Sequence, residues 1–243
     1  MDKTGTYQFA PESYMLDFRG RVTIPTLCSY MLHAASRHAS SRGFGFGDMS
    51  GRHTAWVLSR IAIEMAEYPV MPAGPLTLHT WISDVSRLFT CRCFECVGDA
   101  GRTVGYAHST WAAIDVATRR PVPLDGEALR AYLVDDRPCP VMRPGKIPAV
   151  EGTAPGEPYR VRYSDLDVNG HFNSIKYMEH LLDMFDIALF RDGEVRRFEI
   201  AYLSEGTYDM TLTFHMAGAG DGRYHMAVCH EGRAVCRAAV VWE

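Results

Sequence analysis

The sequence predicts an α+β protein built twice over, each half one long helix followed by about four antiparallel strands. Three observations lead there. Apolar residues recur at three and four residues in two separate stretches, the period of one helix face. Runs with apolar–polar alternation follow each stretch, as in half-buried antiparallel strands. A residue pattern also repeats: Gly101-Arg102-x-Val104-x-x-Ala107-x-x-x-Trp111 returns as Gly232-Arg233-x-Val235-x-x-Ala238-x-x-x-Trp242, an offset of 131 (232 − 101).

The 243 residues suffice for one large or two small cores. With 47% hydrophobic and 22% charged residues, the chain reads as ordinary globular protein. Its net charge of −4 exerts no general pull on nucleic acid or anionic membrane. The sequence holds no apolar run long enough to span a membrane, and MDKTGTYQFA lacks an apolar signal core. The expectation is a cytoplasmic protein that binds neither membrane nor nucleic acid.

The first helix is predicted over 25–41. Leu27, Tyr30, Met31, Ala34, Ala35 and His38 trace its stripe, Pro25 suits its first turn and Gly43 its end. GFGFGDM then reads as a flexible loop. Strands follow in TAWVLSRIAIEM, PLTLHTWISDV, RLFTCRCFECV and TVGYAHSTWAAIDV, separated by turn signals at Pro69 to Pro75 and Gly98 to Gly101. The seven cysteines have no secreted-framework spacing. Cys91 and Cys93 would share a strand face with no adjacent fourth ligand, which argues against zinc at Cys91, Cys93 and Cys96. No metal and no cofactor is expected.

Residues 121 to 158 carry eight of the 13 prolines and one helical fragment, GEALRAYLV. Proline removes backbone donors and stiffens the chain, so an inter-domain connection is expected. The predicted organisation is a first half over 1–135, a linker over 136–156 and a second half over 157–243.

The second half opens on a short strand, EPYRVRY, and reaches the most informative stretch, YSDLDVNGHFNSIKYMEHLLDMF. Asp167, Asn169 and His171 stand at every second position, so an extended backbone would point all three one way. Ile175, Met178, Leu181, Leu182, Phe185 and Leu189 then mark a helix over 173–190, with Asn173 as N-cap and Asp192-Gly193 as the stop. A polar triplet delivered to a helix start is a candidate catalytic site, because the orphan backbone N–H groups there favour developing negative charge. RRFEIAYLS, YDMTLTFHM, RYHMAVCH and RAVCRAAVVW complete the half as strands. Aligning Tyr30-Met31 with Tyr177-Met178 sets Gly20, Val22 and Ile24 opposite the triplet, so the first half is read as scaffold without the chemistry.

These residues carry a family resemblance. SDLDVNGHFNSIKYMEHLLD resembles the active-site segment of acyl-ACP thioesterases, D-L-D-x-N-x-H-x-N-N-x-K-Y, with Ser174 in place of the second Asn of the N-N pair. AWVLSRIAIEMAEYP resembles the family's N-terminal segment W-V-x-x-R/K-x-x-I-E-x-x-x-Y-P. The likeness covers about residues 7 to 243 and implies a tandem (double) hotdog fold, in which a sheet wraps a long helix in each half. It also implies hydrolysis of the thioester between a fatty acyl chain and the phosphopantetheine arm of acyl carrier protein. By matching positions, Asp167, Asn169 and His171 correspond to the family's catalytic Asp, Asn and His. AYLSEG matches Y-R-R-E-C-G, so Glu205 corresponds to its Glu, and the adjoining Cys becomes Gly206, which excludes a cysteine nucleophile there.

Glu205 is the candidate base, while His171 holds the water or protonates the leaving thiolate. Asn169 fixes water or carbonyl, Asp167 orients Asn169 or His171, and N–H groups at the helix start serve as oxyanion donors. Trp56, Leu58 and Ile61 are candidates to line an acyl tunnel, or are plain sheet core. Arg191, Arg196 and Arg197 are read as a solvated surface first and a docking patch for an acidic carrier second. A homodimer stays open. The alternatives are an acyl-CoA thioesterase, a hotdog hydratase and a non-catalytic acyl-binding module. The hydratase pattern D-x-N-P-x-H is one residue longer and contains a proline absent here.

Overall fold

The computed structural model describes residues 2–70 and 74–243. The predicted turn from Pro69 to Pro75 thus falls partly outside the described residues, at 71–73. The chain divides into two compact units, Met1–Pro144 and Gly145–Glu243. Among the described residues no helix is long and apolar enough to cross a membrane.

In the first unit, β1 (Gly5–Phe9) precedes a long helix, α1 (Ile24–Ser40). Thr23 caps α1 by accepting from Thr26 N–H, Pro25 stands in the first turn, and Leu27, Met31, Ala34 and His38 are fully buried. Next come α2 (Phe46–Ser50), β2 (Thr54–Met65), β3 (Leu76–Val85), β4 (Phe89–Val97), β5 (Thr103–Asp115) and α3 (Gly126–Arg130). The strands pair antiparallel in the order β1-β3-β4-β5-β2. Short α2 corrects the loop reading of GFGFGDM: Gly45 N–H donates to Asp48 Oδ2 at 2.9 Å and starts a helical turn.

The second unit repeats the plan with β6 (Tyr159–Arg160), α4 (Ser174–Leu182), α5 (Ile187–Asp192), β7 (Val195–Tyr202), β8 (Thr211–Gly220), β9 (Arg223–His230) and β10 (Arg233–Trp242). Its antiparallel order, β6-β8-β9-β10-β7, is the same order element for element. Gly101 and Gly232 sit at equivalent turns with φ of 73° and 74°, which explains the repeated glycine. The helix expected over 173–190 is broken. Phe185 leaves the helix to pack edge-on against Tyr224 and Trp242, and Asp186 starts α5 by accepting from Ala188 N–H at 2.7 Å. Burying one aromatic ring there outweighs continuing the hydrogen-bond ladder.

The proline-rich stretch is packed, not a free connection. In the first unit it forms a strap on the face of β3–β5 opposite α1. Val134 N–H donates to Ile82 O at 2.9 Å, and Arg137 pairs with Glu95 and lies 4.5 Å over the Trp81 ring. Val141 is buried, and Arg143 reaches Asp84 at 3.3 Å. In the second unit, Gly145 N–H donates to Glu199 Oε1 at 2.9 Å, and Ile147 is buried with its carbonyl accepting from Arg237. Proline lacks a donor but keeps its carbonyl, so side chains and neighbouring residues satisfy this segment.

Candidate functional site

The polar triplet is not on an extended strand. Leu166 and Phe172 form an antiparallel bridge around a tight turn, with Asp167 N–H donating to His171 O at 2.8 Å and Gly170 N–H to Asp167 O at 3.0 Å. Gly170 has φ +77°, a left-handed conformation that favours glycine. Asp167 Oδ1 accepts from the N–H of Asn169 (2.8 Å) and of His171 (3.0 Å), an Asx arrangement. The carboxylate of Asp167 therefore holds the turn, Asn169 stands exposed near its tip, and His171 lies on the returning arm.

That arm zips to the segment after β7. His171 bridges Thr207, and Phe172 N–H donates to Gly206 O at 2.8 Å. The ladder delivers Glu205 to His171, Nε2 to Oε2 at 3.4 Å, both side chains only partly exposed. The zip demands a bare glycine, since a Cβ on Gly206 would fall 2.8 Å from Tyr177 Oη and 2.9 Å from Phe172 Cβ. The position read as cysteine in the resembling pattern thus has no room for a side chain in this chain. Asn173 is the expected N-cap, accepting from Ile175 N–H at 2.9 Å.

Two supporting residues escaped the sequence reading. Buried Asp165 accepts from Arg162 N–H (2.8 Å) and Tyr159 O–H (2.7 Å), and its carbonyl takes Asn173 N–H (2.8 Å). Tyr202 O–H donates to Ser174 O at 3.0 Å, pinning the start of α4. An acid three residues after Arg162 in a short 3-10 turn was the available signal for the first.

The first unit holds the same turn, and it corrects the alignment. Asp17 N–H donates to Arg21 O, Gly20 N–H to Asp17 O, and Asp17 Oδ1 accepts from Arg19 and Arg21 N–H, all within 2.8–2.9 Å. The offset is 150 (167 − 17), so Asp17, Arg19 and Arg21, not Gly20, Val22 and Ile24, face Asp167, Asn169 and His171. Val22 N–H donates to Pro69 O as Phe172 does to Gly206 O, so Tyr68 occupies the place of Glu205. There Arg21 pairs with Asp17 Oδ2 at 2.7 Å and lies over the Tyr68 ring at 5.3 Å. An arginine and a tyrosine replace the histidine and the glutamate.

The other candidates are placed as follows. Trp56 donates its indole N–H to Phe44 O at 2.8 Å and packs with Phe44, Ile82, Val85 and Leu129, while Leu58 and Ile61 are buried. Arg196 pairs with Glu243 (3.0 Å) and Glu194 (3.6 Å), and Arg197 with Glu199 (2.8 Å), so the basic cluster is largely neutralised inside its own unit.

Comparison with known proteins agrees with this architecture. The models of the acyl-ACP thioesterase N-terminal and C-terminal domains match residues 3–132 and 152–243. An acyl-ACP thioesterase from Bacteroides thetaiotaomicron is 40% identical, with TM-score 0.93 over 99% of this chain and 98% of that one. The 12:0-ACP thioesterase of Umbellularia californica, 23% identical, shares the fold at TM-score 0.87 over 100% and 98% of the two chains. The chloroplastic palmitoyl-acyl carrier protein thioesterase of Arabidopsis thaliana is 24% identical over 96% of this chain and 62% of its own length. The chain spans 52–62% of the length of three such plant relatives. Two hotdog units in one chain, both domains matched in order, lead to one conclusion: this chain belongs to the acyl-ACP thioesterase family.

Proposed function

We propose that this chain hydrolyses the thioester joining a fatty acyl group to the phosphopantetheine arm of acyl carrier protein, giving free fatty acid and holo carrier. The supporting observation is the approach of His171 Nε2 to Glu205 Oε2 at 3.4 Å, in a turn and ladder that hold both. Glu205 takes a proton from water as the water oxygen bonds to the thioester carbon and the carbonyl electrons move to oxygen. Collapse breaks the C–S bond, and the proton passes through His171 to the departing sulfur. Asn169, at the exposed tip, fixes the water or the carbonyl oxygen. Asp167 is a positioning residue that acts through the turn. Exposed Tyr163, Val168, Leu203 and Tyr208 belong to the same two segments and offer apolar surface to an incoming carrier and its acyl chain.

The test compares matched acyl-ACP and acyl-CoA series of several chain lengths on the purified chain. His171→Ala is expected to lower kcat about a hundredfold or more, and Glu205→Gln by about two to four orders of magnitude with KM nearly unchanged. Folded variants with near-full turnover would remove both residues from the chemistry. Equal or higher kcat/KM on acyl-CoA would replace the carrier protein by coenzyme A as the substrate's carrier.

A further inference from the structure

The first unit carries a second cluster of reactive side chains, none of them assigned to hydrolysis. Cys93 on β4 and His108 on β5 are direct cross-strand partners, so their side chains leave the same face of the sheet side by side. That is the face covered by the strap, which adds Cys139. The two sulfurs and one ring nitrogen all lie within 4.8 Å of one another.

The protonation pattern suits metal binding. His108 Nδ1–H donates to Val141 O at 3.2 Å, which fixes the tautomer and leaves the lone pair on Nε2. Nε2 is buried and has no hydrogen-bond partner among the described residues. A buried acceptor is ordinarily satisfied, so this vacancy among two thiols is informative. The thiols have weak partners: Cys93 S–H donates to Ser83 Oγ at 3.3 Å, Cys139 S–H to Ala107 O at 3.7 Å, and the two thiols engage each other. The cluster opens onto a cleft of about 480 Å³, also lined by Ser83, Asp84, Cys91 and Asp135.

We propose that Cys93, His108 and Cys139 form a Cys₂His site for Zn²⁺, with its fourth position facing this cleft. Two thiolates, one imidazole and an open position make a recognised zinc donor set. Bond lengths of about 2.3 Å to sulfur and about 2.0 Å to nitrogen require the donor atoms to draw in by only about 1 Å. Binding releases two protons, one from each thiol, and two thiolates balance the charge of the ion, so no net charge is buried under the strap. The site ties residues 136–143 to β4 and β5. No sequence spacing announces it, because it needs the β4–β5 register and Cys139, 31 residues beyond His108 (139 − 108).

The test uses the full chain, kept reduced with a phosphine and freed of metal by chelation, then titrated with Zn²⁺ against a chromogenic chelator and with Co²⁺ as the spectroscopic probe. One equivalent of Zn²⁺ is expected with Kd below about 1 µM, and the Co²⁺ form should show thiolate-to-metal charge transfer and tetrahedral ligand-field bands. Cys139→Ser and His108→Gln should each weaken binding at least about tenfold. Cys229→Ser, in the other unit, should leave it unchanged. The wild-type titration is decisive even if a variant misfolds: binding of well under one equivalent, or a Co²⁺ spectrum without thiolate charge transfer, overturns the assignment. Wild-type affinity in Cys139→Ser does so too.

Discussion

Lowering the pH should destabilise the first unit through one histidine, His38. It is fully buried on α1 and faces a buried cation, Arg92. Arg92, on β4, is also buried and donates through Nη1 to His38 Nδ1 at 3.1 Å and to Thr80 Oγ1 at 3.2 Å. Because a guanidinium can only donate, Nδ1 must accept, and Nε2–H must be the donor to Lys3 O at 3.0 Å. The neutral ring is thus required. Burial lowers its pKa first, then the charges of Arg92 and Arg42, with the Lys3 carbonyl and Asp2 opposing, to about 3 from 6.5. The folded value lies below the unfolded one, so the stabilisation is complete above about pH 6.5 and is lost as pH falls toward 3. Each unit of pH costs about 1.4 kcal/mol in that window, so moving from pH 7 to pH 5 should cost about 2 kcal/mol. Partly buried His79 and His108, whose pKa values burial also lowers, act in the same direction, and a variant isolates His38. His38→Gln keeps an acceptor for Arg92 and a donor for Lys3 but does not titrate. Urea unfolding followed by tryptophan fluorescence suits the measurement, since Trp56, Trp81 and Trp111 of the four tryptophans lie in the first unit. The wild type should lose about 2 kcal/mol more than His38→Gln between pH 7 and pH 5. Equal losses would refute the reasoning.

Three variants probe the turn and its ladder. Asp167→Ala deprives two backbone N–H groups of their acceptor and should cost about 1–2 kcal/mol, together with a fall in kcat as His171 loses its place. Asp17→Ala should cost at least as much stability, since buried Arg21 also loses an ion-pair partner, yet keep turnover per folded molecule. Thermal unfolding and active-site-normalised assays separate the two. Gly206→Ala should push Phe172 and Tyr177 apart, cost about 1–3 kcal/mol, and lower kcat at least tenfold by carrying Glu205 away from His171. Unchanged kcat in that variant would show that the ladder does not set the geometry of the pair.

What the sequence made legible was local. The α1 stripe, its proline and its cap are all within one helix, and strand alternation in β8 needs only its own residues. The reading of 167–171 failed because polar residues at every second position satisfy both a strand and a turn closed by an aspartate. Gly170 and the matching Asp17…Gly20 spacing point to the turn, but an alignment on the helices, with offset 147 (177 − 30), sets these two segments out of register. Glu205, 34 residues beyond His171 (205 − 171), could be reached only through family resemblance, because its partner is chosen by a ladder between 171–172 and 206–207. The same limit hid Cys93, His108 and Cys139, which meet through register and a strap, not through spacing. The duplicated turn then shows where the two units part. In the first, the returning side chain, Arg21, folds back on the aspartate that holds the turn and is covered by Tyr68. In the second, the returning side chain is His171, too short to fold back on the aspartate as Arg21 does, and the residue in Tyr68's place is a carboxylate. One turn is closed on itself, and the other presents its histidine to a carboxylate from the segment after β7.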